Sequence, residues 1–73
     1  MASIDVQSEI TGKVWKIEAP VGTQVEEEGV IIIIESMKME IPVMAPQGGK
    51  VSEILVSEGQ DVSEGQVVAR LAG

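Results

Sequence analysis

The sequence predicts an all-β domain, a sandwich or flattened barrel with approximate two-fold symmetry. Three observations lead there. Apolar residues alternate at Ile4 and Val6 and again at Ile41 and Val43, β-branched residues crowd Val30–Ile34 and Val67–Val68, and no stretch sustains a 3.6-residue period. Six glycines (Gly12, Gly22, Gly48, Gly49, Gly59 and Gly65) break the chain into short segments, while Pro20, Pro42 and Pro46 interrupt any long helix. Finally, the two halves repeat one another. Shifted by thirty-seven residues, 4–36 falls on 41–73 without a gap, matching Ile4 with Ile41, Gly12 with Gly49, Ile17 with Ile54, Gly22 with Gly59, Val25 with Val62 and Val30 with Val67.

The matched residues are mostly core apolars and turn glycines, so each half traces one backbone path. Two copies are too few for a stacked array, and the halves must bury their apolar faces against each other. Alternation then puts Ile4, Val6, Val14, Ile17, Val25, Ile31 and Ile33 inside from the first half. From the second half it puts Ile41, Val43, Val51, Ile54, Val62, Val68 and Leu71 inside.

In chain order, the first segment around Ile4–Val6 is a short strand, and Val14–Ile17 is a second, entered through Gly12 and Lys13. A turn at Gly22 follows. Glu26, Glu27 and Glu28 then precede the run Val30–Ile34, and Glu35 closes it. A run apolar on both faces invites edge-to-edge pairing, and flanking charges oppose that. Here the repeat is imperfect: Gly65 falls opposite Glu28, while Gly29 comes one position later, which predicts a differently built turn in the first half, such as a bulge. The second half repeats these elements from Glu40–Met44 onward.

Composition excludes several functions. With no cysteine and no histidine, the chain lacks disulfides, thiol nucleophiles and the usual general base. Twelve acidic against five basic residues give a formal charge of −7, which repels phosphate backbones, and Trp15 is the only aromatic residue, so no nucleic acid is expected as a partner. The longest apolar run, five residues, is too short to span a bilayer as a helix, and the N-terminal residues lack a signal-peptide core, so a cytoplasmic protein with no membrane partner is expected. Trp15 itself has two readings. Its repeat mate is Ser52, so it is either an amphipathic residue on the barrel surface or a docking contact.

Between its two copies the repeat leaves out Met37-Lys38-Met39-Glu40, the junction of the halves. Of the four lysines, Lys13 and Lys50 are each other's mates and Lys16 is matched with Glu53, whereas Lys38 has no counterpart. Strands on both sides require a tight hairpin, and tight hairpins want Asn-Gly, Asp-Gly or Gly-X at the tip. Met37 and Lys38 offer no residue that easily takes positive φ, though a type I geometry could hold them. Turn chemistry does not account for this tip. Two readings stand: a site of function, or a solvated lysine between methionines that fold back onto the barrel.

Glu35-Ser36-Met37-Lys38-Met39-Glu40 resembles the attachment motif of biotinyl domains, Glu-Ala/Ser-Met-Lys-Met. The resemblance extends along the chain. Gly22-Thr23-Gln24-Val25 and Gly59-Gln60-Asp61-Val62 are similar to the family's Gly-Asp-x-Val turn, and Ala45-Pro46 before Gly48-Gly49 is similar to its Ala-Pro-x-x-Gly connection. Glu64-Gly65-Gln66-Val67 looks like the segment leading into the last strand, and Glu28 departs from the family's usual glycine.

The resemblance implies a flattened barrel of two four-stranded antiparallel sheets, with residues 1–73 forming a single carrier domain. It implies covalent biotin, in amide linkage to Lys38, with Met37 and Met39 as ligase-recognition residues and Glu35, Ser36 and Glu40 as hairpin flanks. The implied partners are a biotin–protein ligase, a biotin carboxylase and a carboxyltransferase, between which the biotin shuttles a carboxyl group toward an acyl-CoA of the acetyl-CoA type. The carrier itself is a non-catalytic subunit or domain of the carboxylase. Without an insertion between Val14–Ile17 and Val30–Glu35, the protruding thumb of some bacterial carriers is expected to be absent, and a free-standing monomer is expected. A lipoyl carrier shares the fold but typically carries Asp-Lys-Ala. From another class, an unmodified β-barrel interaction module remains as an alternative, distinguished by mass spectrometry after exposure to a ligase and biotin.

Overall fold

The computed structural model describes residues 3–72, which form eight strands. They are β1 (Ser3–Gln7), β2 (Gly12–Ile17), β3 (Gln24–Val25), β4 (Val30–Ser36), β5 (Met39–Met44), β6 (Gly49–Ile54), β7 (Asp61–Val62) and β8 (Val67–Ala72). Two four-stranded antiparallel sheets result, in the orders β1-β8-β6-β3 and β5-β4-β2-β7. Each sheet takes two strands from each half of the sequence, so neither half can close its apolar face alone. No helix of the structure is long and apolar enough to cross a membrane.

The repeat extends to the backbone hydrogen bonds of the turns and loops. Val14 N donates to Gln60 O at 2.8 Å, and its mate Val51 N donates to Thr23 O at 2.9 Å. Register breaks recur as well: β2 slips against β4 between Val14 and Lys16, and β6 slips against β8 between Val51 and Glu53. Another slip falls between Val30 and Ile32 on β4, answered by the break at Val6/Gln7 where β1 meets β8. Pro42 lies on β5, an outer strand of its sheet, where a missing N–H costs the ladder least.

The bulges correct the predicted core. A bulge turns two successive side chains to the same face. Ile31 and Ile32 are therefore both buried, the alternation restarts one residue late, and Ile34 rather than Ile33 is inside; Ile33 is half-buried. The repeat does the same at Val68 and Ala69, both at 0 % exposure. Ile4, Ile17 and Ile54 pack half-buried against the core rather than within it, and Ile41 is half-buried too. Ala19, its mate Val56, and Ala45, whose mate is Ser8, complete the core from loop positions that strand alternation does not reach.

The expected irregular turn before β4 is also corrected. Glu28 occupies the left-handed region at φ 68, as Gly65 does at φ 86. Glu28 N donates to Ala45 O at 2.8 Å and Gly65 N donates to Ser8 O at 2.7 Å. The two turns are the same structure, because the hydrogen-bonded frame around each imposes one backbone path whatever the side chain.

The outer faces of the two sheets are not alike. On β1-β8-β6, Arg70 donates to Asp5 Oδ1 at 3.0 Å and to Glu53 Oε1 at 3.3 Å, a charged row across three strands. The Asp5 and Glu53 carboxylates raise the Arg70 pKa still further above its ordinary value. The equivalent row on the other sheet holds none of these groups.

Candidate functional site

The β4–β5 hairpin carries the junction residues. Ser36 pairs with Met39, leaving Met37 and Lys38 as a two-residue tip. Both lie in the left-handed region, Met37 at φ 52 and Lys38 at φ 66, which defines a type I′ turn rather than the expected type I. The reason is twist: only a primed turn follows the right-handed twist of the strands it joins. For residues with a Cβ this conformation costs roughly 1–2 kcal/mol each. The strain therefore falls on the residues that the sequence singles out.

The tip is open to solvent. Met37 is 92 % exposed and Met39 64 % exposed, so the methionines do not fold back onto the barrel as the solvated-lysine reading of the tip required. Lys38 is exposed between them. One register step below, Glu35 and Glu40 face each other across the hairpin, both exposed, with Lys13 opposite Glu35 on its other side. Like charges directly opposite oppose pairing, and the adjoining lysine offsets this.

Ser36 is the half-buried member of the motif. Its hydroxyl donates to the carbonyl of Thr11 at 3.0 Å, and the Thr11 hydroxyl accepts from Glu64 N at 3.0 Å. Thr11 thus ties the hairpin base to the β7–β8 turn, a role with no signal in the repeat, since its mate is Gly48. Beside it, Gly12 leaves room for the hairpin backbone: a Cβ there would stand 2.5 Å from Glu35 O and 2.7 Å from Ile34 Cγ2. The site is an anchored hairpin base with an exposed amine at its tip. A concavity of about 590 Å³ lies elsewhere, bordered by Ser8, Met44 and Glu64 and by none of residues 35–40.

Two interlocked four-stranded antiparallel sheets place the chain among small all-β barrel-sandwich domains. The family model described as "Biotin-requiring enzyme" matches residues 2–71. A "Biotin/lipoyl attachment protein" of Bacillus subtilis is 40 % identical over 67 residues, which is 92 % of each chain. A "Biotinylated protein TB7.3 homolog" of Mycobacterium leprae is 40 % identical over 65 residues, covering 89 % of this chain and 92 % of that one. Among solved structures, Kluyveromyces lactis urea carboxylase contains a segment that superposes with a TM-score of 0.93 at 42 % identity, over 99 % of this chain and 6 % of that one. The lipoyl domain of the Azotobacter vinelandii 2-oxoglutarate dehydrogenase complex shares the fold at a TM-score of 0.72 and 24 % identity, over 93 % of this chain and 96 % of that one. This chain belongs to the biotin/lipoyl attachment domain family.

Proposed function

We propose that this protein is a biotin carboxyl carrier with biotin held as an amide on Lys38 Nζ. The observation that carries the reading is the Met37-Lys38 tip: two residues unsuited to their backbone, exposed, and matched by the Glu-Ser-Met-Lys-Met resemblance. The donor chemistry fits, since an amide needs one accessible primary amine and the arm needs a rigid base. Bound there, biotin would supply the group that carries a carboxyl unit from a biotin carboxylase to a carboxyltransferase.

This chain's own residues have simpler tasks. Lys38 supplies the amine, and amide formation removes its charge, so a neutral arm would enter partner sites. Met37 and Met39 give a ligase an apolar grip on both sides of the amine, while Ser36 holds the hairpin base through Thr11. Glu35 and Glu40 give the base of the tip an acidic character. Catalysis would belong to the partners, in the cytoplasm, with an acyl-CoA of the acetyl-CoA type receiving the carboxyl group and residues 1–73 acting as one monomeric carrier domain. The names of the relatives, an attachment protein and a biotinylated protein, support the carrier reading.

The test is intact-mass and peptide mapping after incubation with a biotin–protein ligase, ATP and biotin. One biotinyl group on Lys38 is expected, with none on Lys38→Arg. A Met37→Lys, Lys38→Met double variant should fold yet accept little biotin, because the displaced amine points differently. Efficient labelling of that variant, or of Lys13, Lys16 or Lys50, would defeat the reading. A parallel reaction with a lipoate ligase and lipoic acid tests the related carrier chemistry.

A further inference from the structure

The internal repeat supplies a comparison that a single sheet cannot. Every outward position on one sheet has a counterpart on the other, in the same backbone environment. Where those counterparts differ, the fold is not the reason.

They differ most along one row. On the β1-β8-β6 sheet the row reads Asp5, Arg70, Ser52 and Glu53, tied by the two Arg70 ion pairs, and Ser52 Oγ donates to Arg70 O at 3.1 Å. On the β5-β4-β2 sheet the same positions hold Pro42, Ile33, Trp15 and Lys16. Trp15 is 47 % exposed, and Lys16 is held aside by Glu18 at 3.3 Å. The next row away from the tip adds Val30 and Met44, 38 % and 47 % exposed, where the other sheet has Val67 and Gln7. The fold accommodates a charged, salt-bridged row at this place, yet one sheet carries an apolar one. Contiguous exposed apolar side chains of this kind mark interaction sites.

The position of this patch narrows the occupant. It lies on the sheet that carries the hairpin, with Pro42 about 10 Å along β5 from Met39, the residue after Lys38. Between patch and tip runs a row of Asp61, Lys13, Glu35 and Glu40, acidic by two charges to net. A second copy of this chain is disfavoured, because it would bring the same acidic row, and a chain of net charge −7, against itself. A partner must instead be apolar opposite Trp15 and basic nearer the tip.

We infer that the outer face of the β5-β4-β2 sheet, centred on Trp15, Ile33 and Pro42, is the surface on which the biotin–protein ligase docks, through an apolar patch bordered by basic side chains. The inference rests on the reading of Lys38 as the biotinylated residue. It explains a selection that exposure alone does not: Lys13, Lys16, Lys38 and Lys50 are all exposed. Docking on this face covers Lys13 and Lys16. Lys50 lies on β6, in the opposite sheet, and Lys38 alone projects past the contact toward the ligase active site.

The experiment transfers one sheet's row onto the other. The variant Trp15→Ser, Lys16→Glu, Ile33→Arg, Pro42→Asp copies the triad that the fold already holds at Asp5, Arg70 and Glu53. Labelling of Lys38 is measured by mass spectrometry against carrier concentration with purified biotin–protein ligase. Binding is measured separately by titrating ligase without biotin into ¹⁵N-labelled carrier. The KM is expected to rise at least tenfold with kcat within twofold of wild type, and the Trp15 indole resonance of the wild-type chain is expected to shift on titration. Trp15→Ser alone, which leaves the backbone pairing intact, should raise KM several-fold, while Glu53→Gln on the other sheet should not. Labelling of Lys38 with an unchanged KM in Trp15→Ser would overturn the docking face and leave the carrier reading standing. Labelling of the wild-type chain at another lysine would overturn both.

Discussion

Glu28 and Gly65 stand thirty-seven residues apart and share one backbone conformation, at φ 68 and φ 86, with matching hydrogen bonds to Ala45 and Ser8. One is built for that conformation and the other is not. A side chain in the left-handed region costs roughly 1–2 kcal/mol, part of which glycine gives back through its more flexible unfolded chain. Glu28→Gly is therefore expected to stabilise the protein by about 1 kcal/mol. The reverse change in the other half, Gly65→Ala, meets nothing within 4 Å and so loses only the backbone term, again about 1 kcal/mol. Urea unfolding monitored by circular dichroism checks both, and a destabilised Glu28→Gly would show that the carboxylate itself supports the turn.

Gly12→Ala tests how closely the hairpin base is fitted. Its Cβ would lie 2.5 Å from the Glu35 carbonyl, a backbone atom that cannot step aside without moving β4. Overpacking of this kind costs about 1–3 kcal/mol. Gly49→Ala, with Ala72 O at 2.8 Å, should cost a similar amount at the equivalent place. The two should differ in function: amide exchange at Ser36 and Met39 should rise in Gly12→Ala and not in Gly49→Ala. Equal protection in both would mean that the clash is absorbed without disturbing the hairpin.

The bulge on β4 makes neighbouring isoleucines unequal. Ile32 is at 0 % exposure and Ile33 faces outward, half-buried. Ile32→Ala should cost about 2–5 kcal/mol, and Ile33→Ala about 1 kcal/mol or less. Comparable losses at the two positions would place the register break elsewhere.

The architecture was legible in the sequence because the repeat constrains it twice over. A turn glycine at Gly22 or Gly59 is weak evidence alone, but the pair is not. The inner-face assignment at Val14, Val51, Val62 and Leu71 follows from alternation, and those residues are buried. Alternation misled at Ile33 because a bulge leaves no mark in a run of four isoleucines, where every phase looks equally apolar. It missed Ala19 and Ala45 because small residues in loops carry no period. At the hairpin, the residues that stand out were readable by their lack of repeat mates. Their left-handed backbone was not, since Met and Lys give no sign of it. The support from Thr11 was equally hidden, being a contact between segments twenty-five residues apart.

The pairing of β8 with β1 has a bearing on the hairpin. Ser3 opposite Ala72, Ile4 opposite Leu71, Asp5 opposite Arg70 and Gln7 opposite Val67 reproduce the β5–β4 register residue for residue, from Glu40 opposite Glu35 to Met44 opposite Val30. Yet no loop joins β8 to β1, while Met37 and Lys38 join β4 to β5. The molecule thus contains its own control experiment, the same ribbon with the connector left out. Strand order and alignment survive without it. The register of the two strands is accordingly not dictated by the residue types of the connector, and a pair of poor turn formers can stand at its tip without disturbing the ribbon.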